Sequence, residues 1–77
     1  MKTFLIYTKH SKIRIKQRNL KIHQIEETVI KPDKILPSFK GRSLAQKNFS
    51  GKILEVVFRK QENNIIIITA YWLKEAS

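Results

Sequence analysis

Lys52-Ile53-Leu54-Glu55-Val56-Val57-Phe58-Arg59-Lys60, then Gln61-Glu62-Asn63-Asn64, then Ile65-Ile66-Ile67-Ile68-Thr69-Ala70-Tyr71-Trp72, reads as two strands and a turn. Leu54, Val56 and Phe58 alternate with Glu55, Val57 and Arg59, so one face of the first strand is expected to be buried more deeply. The second run is apolar on both faces at first, which predicts a central strand over Ile65–Lys74. Its later half puts Thr69 and Tyr71 on one face and Ala70 and Trp72 on the other. Ser50-Gly51 supplies a second hairpin turn, which makes Arg42–Phe49 a third strand. Ile35-Leu36 adds a short edge strand.

Upstream of Asp33 the period is helical. Phe4–Tyr7 reads as a short strand or extended arm. Thr8 then caps a helix over Lys9–Arg18, which Asn19 stops in the left-handed region. A second helix is expected from Gln24 to Val29 or Ile30, with Glu26 and Glu27 in its first turn and Pro32 ending it. The predicted fold is α+β: two N-terminal helices packed on an antiparallel meander of three to four strands.

Length allows one domain over residues 1–77, and a core this small gains from oligomerisation or a partner. There is no cysteine, so disulfides, a thiolate nucleophile and a cysteine–zinc site are excluded, and no cofactor is expected. His10 and His23 alone make a poor metal site. No apolar run is long enough to cross a bilayer as a helix. The simplest reading is a cytoplasmic protein. Sixteen Lys and Arg against six acids give a net charge of +10. Such a field attracts polyanions, and both RNA and an acidic protein fit it. A membrane surface fits less well, because no basic amphipathic helix stands out.

Within the first helix His10, Arg14 and Arg18 recur every four residues, each about 6 Å further along the axis, roughly the phosphate spacing of an extended strand. At about 100° per residue the stripe lies between Ile13 and Ile15, and Lys9, Lys12 and Lys16 take the opposite side. The stripe is therefore expected to lean toward the domain. Pairing with carboxylates is the bland explanation, but six acids must serve sixteen cations. A neutral His10 can take a proton from a ribose 2′-OH, and an arginine can stabilise the phosphorane that follows. Tyr71 and Thr69 are expected to line the sheet surface beneath the first helix. Arg42, Lys47 and Arg59 extend a basic groove on the strands, or are solvated cations. Trp72 is a stacking platform or a packing residue.

Tyr7-Thr8-Lys9-His10 with Arg14 and Arg18, Lys31-Pro32-Asp33, Gly41-Arg42, Ala45-Gln46-Lys47, Gly51-Lys52-Ile53-Leu54 with Val57, and Ile68-Thr69-Ala70-Tyr71 together resemble a family of small prokaryotic domains. That family is one of unknown function with a toxin-like neighbourhood, and it looks related to the RelE and BrnT type ribonuclease toxins. Asn19-Leu20 departs from the family's glycine-led turn, and Trp72 follows the tyrosine. The resemblance implies a metal-independent endoribonuclease toxin neutralised by an acidic antitoxin. Carried over by position, its functional pattern falls on His10, Arg14, Arg18, Lys47, Thr69 and Tyr71. His10 would be general base or acid, the arginines would hold the phosphate, and Tyr71 or Lys47 would assist. The residues themselves leave two other readings open: a non-catalytic RNA-binding module, and a basic domain that binds only an acidic protein.

Overall fold

The computed structural model describes residues 4–73, in the order β1 (Phe4–Tyr7), α1 (Lys9–Gln17), α2 (Ile22–Ile30), β2 (Lys34–Pro37), β3 (Ser43–Phe49), β4 (Lys52–Gln61) and β5 (Asn64–Trp72). All five strands form one mixed sheet in the order β1-β5-β4-β3-β2. β1 pairs with β5 in parallel, from Phe4 beside Asn64 to Tyr7 beside Ile67. The other pairings are antiparallel.

This corrects the expected layout of two N-terminal helices on an antiparallel meander. The chain begins with a strand of the sheet, the helices sit between β1 and β2 as a crossover, and strands dominate. The physical reason lies in Phe4-Leu5-Ile6-Tyr7, whose Leu5 and Tyr7 pack against the core. Burying them requires β1 beside β5, and a parallel neighbour needs a long return connection. Here the return runs through both helices, which carry the chain across the sheet to the far edge at β2, and then through β2, β3 and β4. β4 takes the middle of the sheet and β5 lies inside β1. The Lys74 end of the predicted last strand lies outside the described residues.

Local chemistry explains the elements. Thr8 accepts from the Ser11 backbone N–H at 3.0 Å and its hydroxyl donates to the Ile67 carbonyl at 3.3 Å, so one residue caps α1 and pins it to β5. Asn19 stops the helix with φ 53°. α2 begins at Ile22, two residues earlier than expected, which moves Glu26 and Glu27 to its middle. Ser50 and Gly51 both have positive φ, as a tight hairpin turn requires.

Both helices cover one face of the sheet. Ile15, Leu20, Ile25 and Val29 pack with Ala45, Leu54, Val56, Phe58, Ile65, Ile67 and Ala70 in a single cluster. Among the described residues the face opposite carries no helix. Between Val57 and Phe58 the register slips: Phe58 lies beside Ile67 but Val57 lies beside Thr69, leaving Ile68 as the extra residue of a β-bulge. A bulge reverses the alternation. Ile67 and Ala70 thus both point at the helices, and Thr69 and Tyr71 are turned to the other face.

Candidate functional site

The buried residues of α1 are Ser11 and Ile15, and Ile13 is 47% exposed. The inward direction is therefore centred between Ser11 and Ile15, about 120° round from His10, rather than between the two isoleucines. His10, Arg14 and Arg18 approach it step by step. His10 is exposed, Arg14 is half-buried, and Arg18 at the helix end reaches the sheet. The expected inward lean holds only in part: Arg14 is the most buried of the three, and Arg18, itself exposed, reaches the sheet with its guanidinium.

Arg14 bridges the row. Its Nε donates to His10 Nε2 at 3.3 Å and its Nη1 to Gln17 Oε1 at 3.3 Å. In the first bond His10 Nε2 is the acceptor. Arg18 Nη1 donates to the Ala70 carbonyl at 2.9 Å and to Thr69 Oγ1 at 3.2 Å, and its guanidinium carbon lies 5.9 Å from the Tyr71 ring centre. The edge of β5 is open here because β1 ends beside Ile67. Arg18 crosses that edge and joins a helix on one face to side chains on the other. A guanidinium carries five donors, so donors remain on both arginines for a phosphate oxygen.

Beyond Arg18 the site continues into the sheet. The Tyr71 hydroxyl donates to Glu55 Oε2, and Gln46 Nε2 donates to Glu55 Oε1 at 2.7 Å. The three residues sit side by side across β5, β4 and β3. Glu55 is only 6% exposed. Burial, the hydrogen bond to Glu55 and that carboxylate's charge push the Tyr71 phenol up to about 12, with Arg18 opposing. Tyr71 is therefore a fixed neutral donor at physiological pH. Sequence reasoning did not single out Glu55 or Gln46 as parts of a site. The available signal was a lone carboxylate inside an apolar strand run, a residue that must find donors if it is buried.

The remaining candidates are placed apart from this row. Lys47 Nζ donates to the Lys31 carbonyl at 2.9 Å and lies 3.8 Å from Asp33 Oδ1. It ties the end of α2 to the turn before β2, where it completes local structure and does not join His10 or Arg14. Arg42 is exposed before β3, and Arg59 is exposed on β4 beside Ile66. Thr69 and Tyr71 do meet the stripe, through Arg18, but from the face opposite the helix layer rather than beneath α1. Trp72 packs edge-on against Phe49, with ring centres 6.0 Å apart, and lies against the core. His23 is an exposed residue of α2.

Residues 7–72 match the model of a domain of unknown function, DUF4258, and the chain belongs to that family. No curated protein and no solved structure is significantly similar to it. No helix among the described residues is long and apolar enough to cross a membrane.

Proposed function

We propose that this domain binds single-stranded RNA along the seam between α1 and β5 and cleaves it by attack of a ribose 2′-OH on the adjacent phosphate, without a metal ion. One observation carries the reading. α1 sets two guanidiniums in a row between the His10 imidazole, whose Nε2 faces Arg14, and a phenol fixed as a donor. A phosphate drawn onto Arg14 and Arg18 competes for the Arg14 donors and frees the Nε2 lone pair. His10 then takes the 2′-OH proton as the 2′-oxygen bonds to phosphorus, and the arginines stabilise the dianionic phosphorane. The P–O5′ bond breaks with the proton returned from His10 to the 5′-oxygen, directly or through water, to give a 2′,3′-cyclic phosphate and a 5′-OH. Thr69 and Tyr71 position the strand. In this reading the chain is a cytoplasmic toxin, related in chemistry to the RelE and BrnT type toxins and held in check by an acidic antitoxin.

The test is end-mapping of a labelled RNA incubated with the purified chain, with and without EDTA. Cleavage that survives EDTA, leaves cyclic or 3′-phosphate ends and falls by about 10²–10⁴ in His10→Ala is the expected result. Intact RNA, or unchanged cleavage by His10→Ala, ends the catalytic reading. A second reading has its own support: the Nε2 lone pair is engaged by Arg14 and His10 is exposed, which suits a phosphate clamp better than a base. A non-catalytic RNA-binding module predicts intact RNA, salt-sensitive affinity, and weakening by Arg14→Ala or Arg18→Ala with little effect of His10→Ala.

A further inference from the structure

Among the described residues no helix covers the face of the sheet opposite α1 and α2. The register assigns to it Phe4 and Ile6 of β1, Lys34 and Leu36 of β2, Leu44, Gln46 and Asn48 of β3, and alternating residues from Ile53 to Gln61 of β4. From β5 it takes Asn64 and Ile66 and, past the bulge, Thr69 and Tyr71. An oblique apolar band crosses this face: Leu36, Leu44 and Val57 lie in one row, and Ile66 and Ile6 lie two residues further along, in the row of Arg59. Val57 is buried yet stands outside the core cluster, and Phe4 and Ile6 are 60% and 44% exposed. A band of this kind running from edge to edge of a small domain marks an interaction surface.

Its charges say what covers it. Lys34, Glu55 and Arg59 are the charged residues that the register places on this face. Glu55 is buried and satisfied by Gln46 and Tyr71, while Lys34 and Arg59 are exposed. Among the described strand residues of this face the exposed charges are therefore both positive, and the neighbouring Asp33 carboxylate is engaged by Lys47 and by the Asn48 N–H. A second copy would set cation against cation in a chain of net charge +10. A nucleic-acid strand would find rings only at Phe4 and Tyr71 and would leave Leu36, Leu44, Val57, Ile66 and Ile6 unmatched, since bases stack on aromatic rings rather than on Leu, Val and Ile.

We propose that this face docks an acidic amphipathic helix of a protein partner. Its apolar side chains would lie on the band and its carboxylates would meet Lys34 and Arg59. Four inter-strand steps of about 4.8 Å make the band roughly 19 Å long, the length of about 13 helical residues. The docking stands whether or not the α1–β5 seam cleaves RNA. Because Thr69 and Tyr71 share the face, a helix seated there abuts the seam.

The test uses a synthetic peptide with leucine at helical positions i, i+3, i+4 and i+7 and glutamate elsewhere, and an isomer with the same composition but scattered leucines. The expected result is that the patterned peptide binds at least about tenfold more tightly than its isomer. Ile6→Ser and Leu36→Ser should each cost it about tenfold, with thermal melting showing that they fold. Lys34→Ala keeps the band and weakens binding of the acidic peptide. In the wild-type chain, amide shifts should map to Leu44, Val57 and Ile66. Equal binding of both peptides, or shifts confined to α1 and α2, overturns the proposal. So does a uridine oligomer that moves the band residues as the peptide should, or sedimentation showing a dimer that Ile6→Ser dissolves.

Discussion

Tyr71 is held from three sides, by Glu55 at its hydroxyl, by its own burial and by Arg18 over its ring. Its phenol is raised from 10.0 to about 12. For a group raised by folding, the stabilising difference is complete below the unfolded value and is lost as pH climbs through the folded one. The window is therefore roughly pH 10 to 12, on the alkaline side only. Ultraviolet titration of tyrosinate reads this directly, since Tyr7 and Tyr71 are the only two tyrosines. The native chain should show little tyrosinate at pH 10, whereas the chain in denaturant should be half ionised there. Tyr71→Phe should remove the component near 12, and a native Tyr71 that titrates near 10 refutes the Glu55 bond. Tyr7 is also raised, by burial and then by the Glu26 charge, and its hydroxyl is buried with no partner among the described residues. Removing an unpaired buried hydroxyl relieves its desolvation cost. Tyr7→Phe should then leave the melting temperature unchanged or raise it, and a loss above about 1 kcal/mol would show that the hydroxyl finds a partner.

At the scale of elements, Ile68 decides more than any other position in β5. Without the bulge, Ile65, Ile67, Thr69 and Tyr71 would share one face, and the site tyrosine would lie under α1 as strict alternation implies. A period-two pattern cannot show a bulge, because Ile65-Ile66-Ile67-Ile68 is apolar at every position and hides the slip. The termini of α1 were legible because Thr8 and Asn19 act through their own backbones. β1 was visible as a strand, but its parallel place beside β5 depends on a partner sixty residues away, and no local signal carries that. His10, Arg14 and Arg18 were found by spacing, yet which of them turns inward depended on Ser11, a small polar residue that a hydrophobic wheel overlooks. Thr8 offers a test of how α1 is held. Thr8→Ala removes both the cap and the bond to the Ile67 carbonyl, and should cost about 1–2 kcal/mol in denaturant unfolding. Thr8→Ser keeps both and should recover most of it. Equal losses in the two variants would mean that the methyl group, not the oxygen, holds α1. Ser50 gives the opposite sign. With φ 55° ahead of Gly51, it occupies a position that asparagine tolerates better, and Ser50→Asn should stabilise the β3–β4 hairpin by roughly 0.5 kcal/mol.

Across the whole molecule, the question is whether the +10 charge acts as a diffuse field or through a site. Lys9, Lys12 and Lys16 are exposed on the outer side of α1, while Arg14 and Arg18 are turned toward the seam. A diffuse field would make all of these equivalent; a seam would not. Salt dependence separates the two cases, because the slope of log affinity against log salt counts the phosphates neutralised, about 0.7 per phosphate for a single strand. Filter binding of a short uridine oligomer across a salt series should give a slope that becomes shallower by about 1.4 when Arg14→Ala and Arg18→Ala are combined. Lys12→Ala with Lys16→Ala removes the same charge from the outer side and should leave the slope nearly intact, with a small uniform loss of affinity. If the lysine pair flattens the slope as much as the arginine pair, RNA is held by net charge alone, and the row that α1 builds against β5 is not where the strand lies.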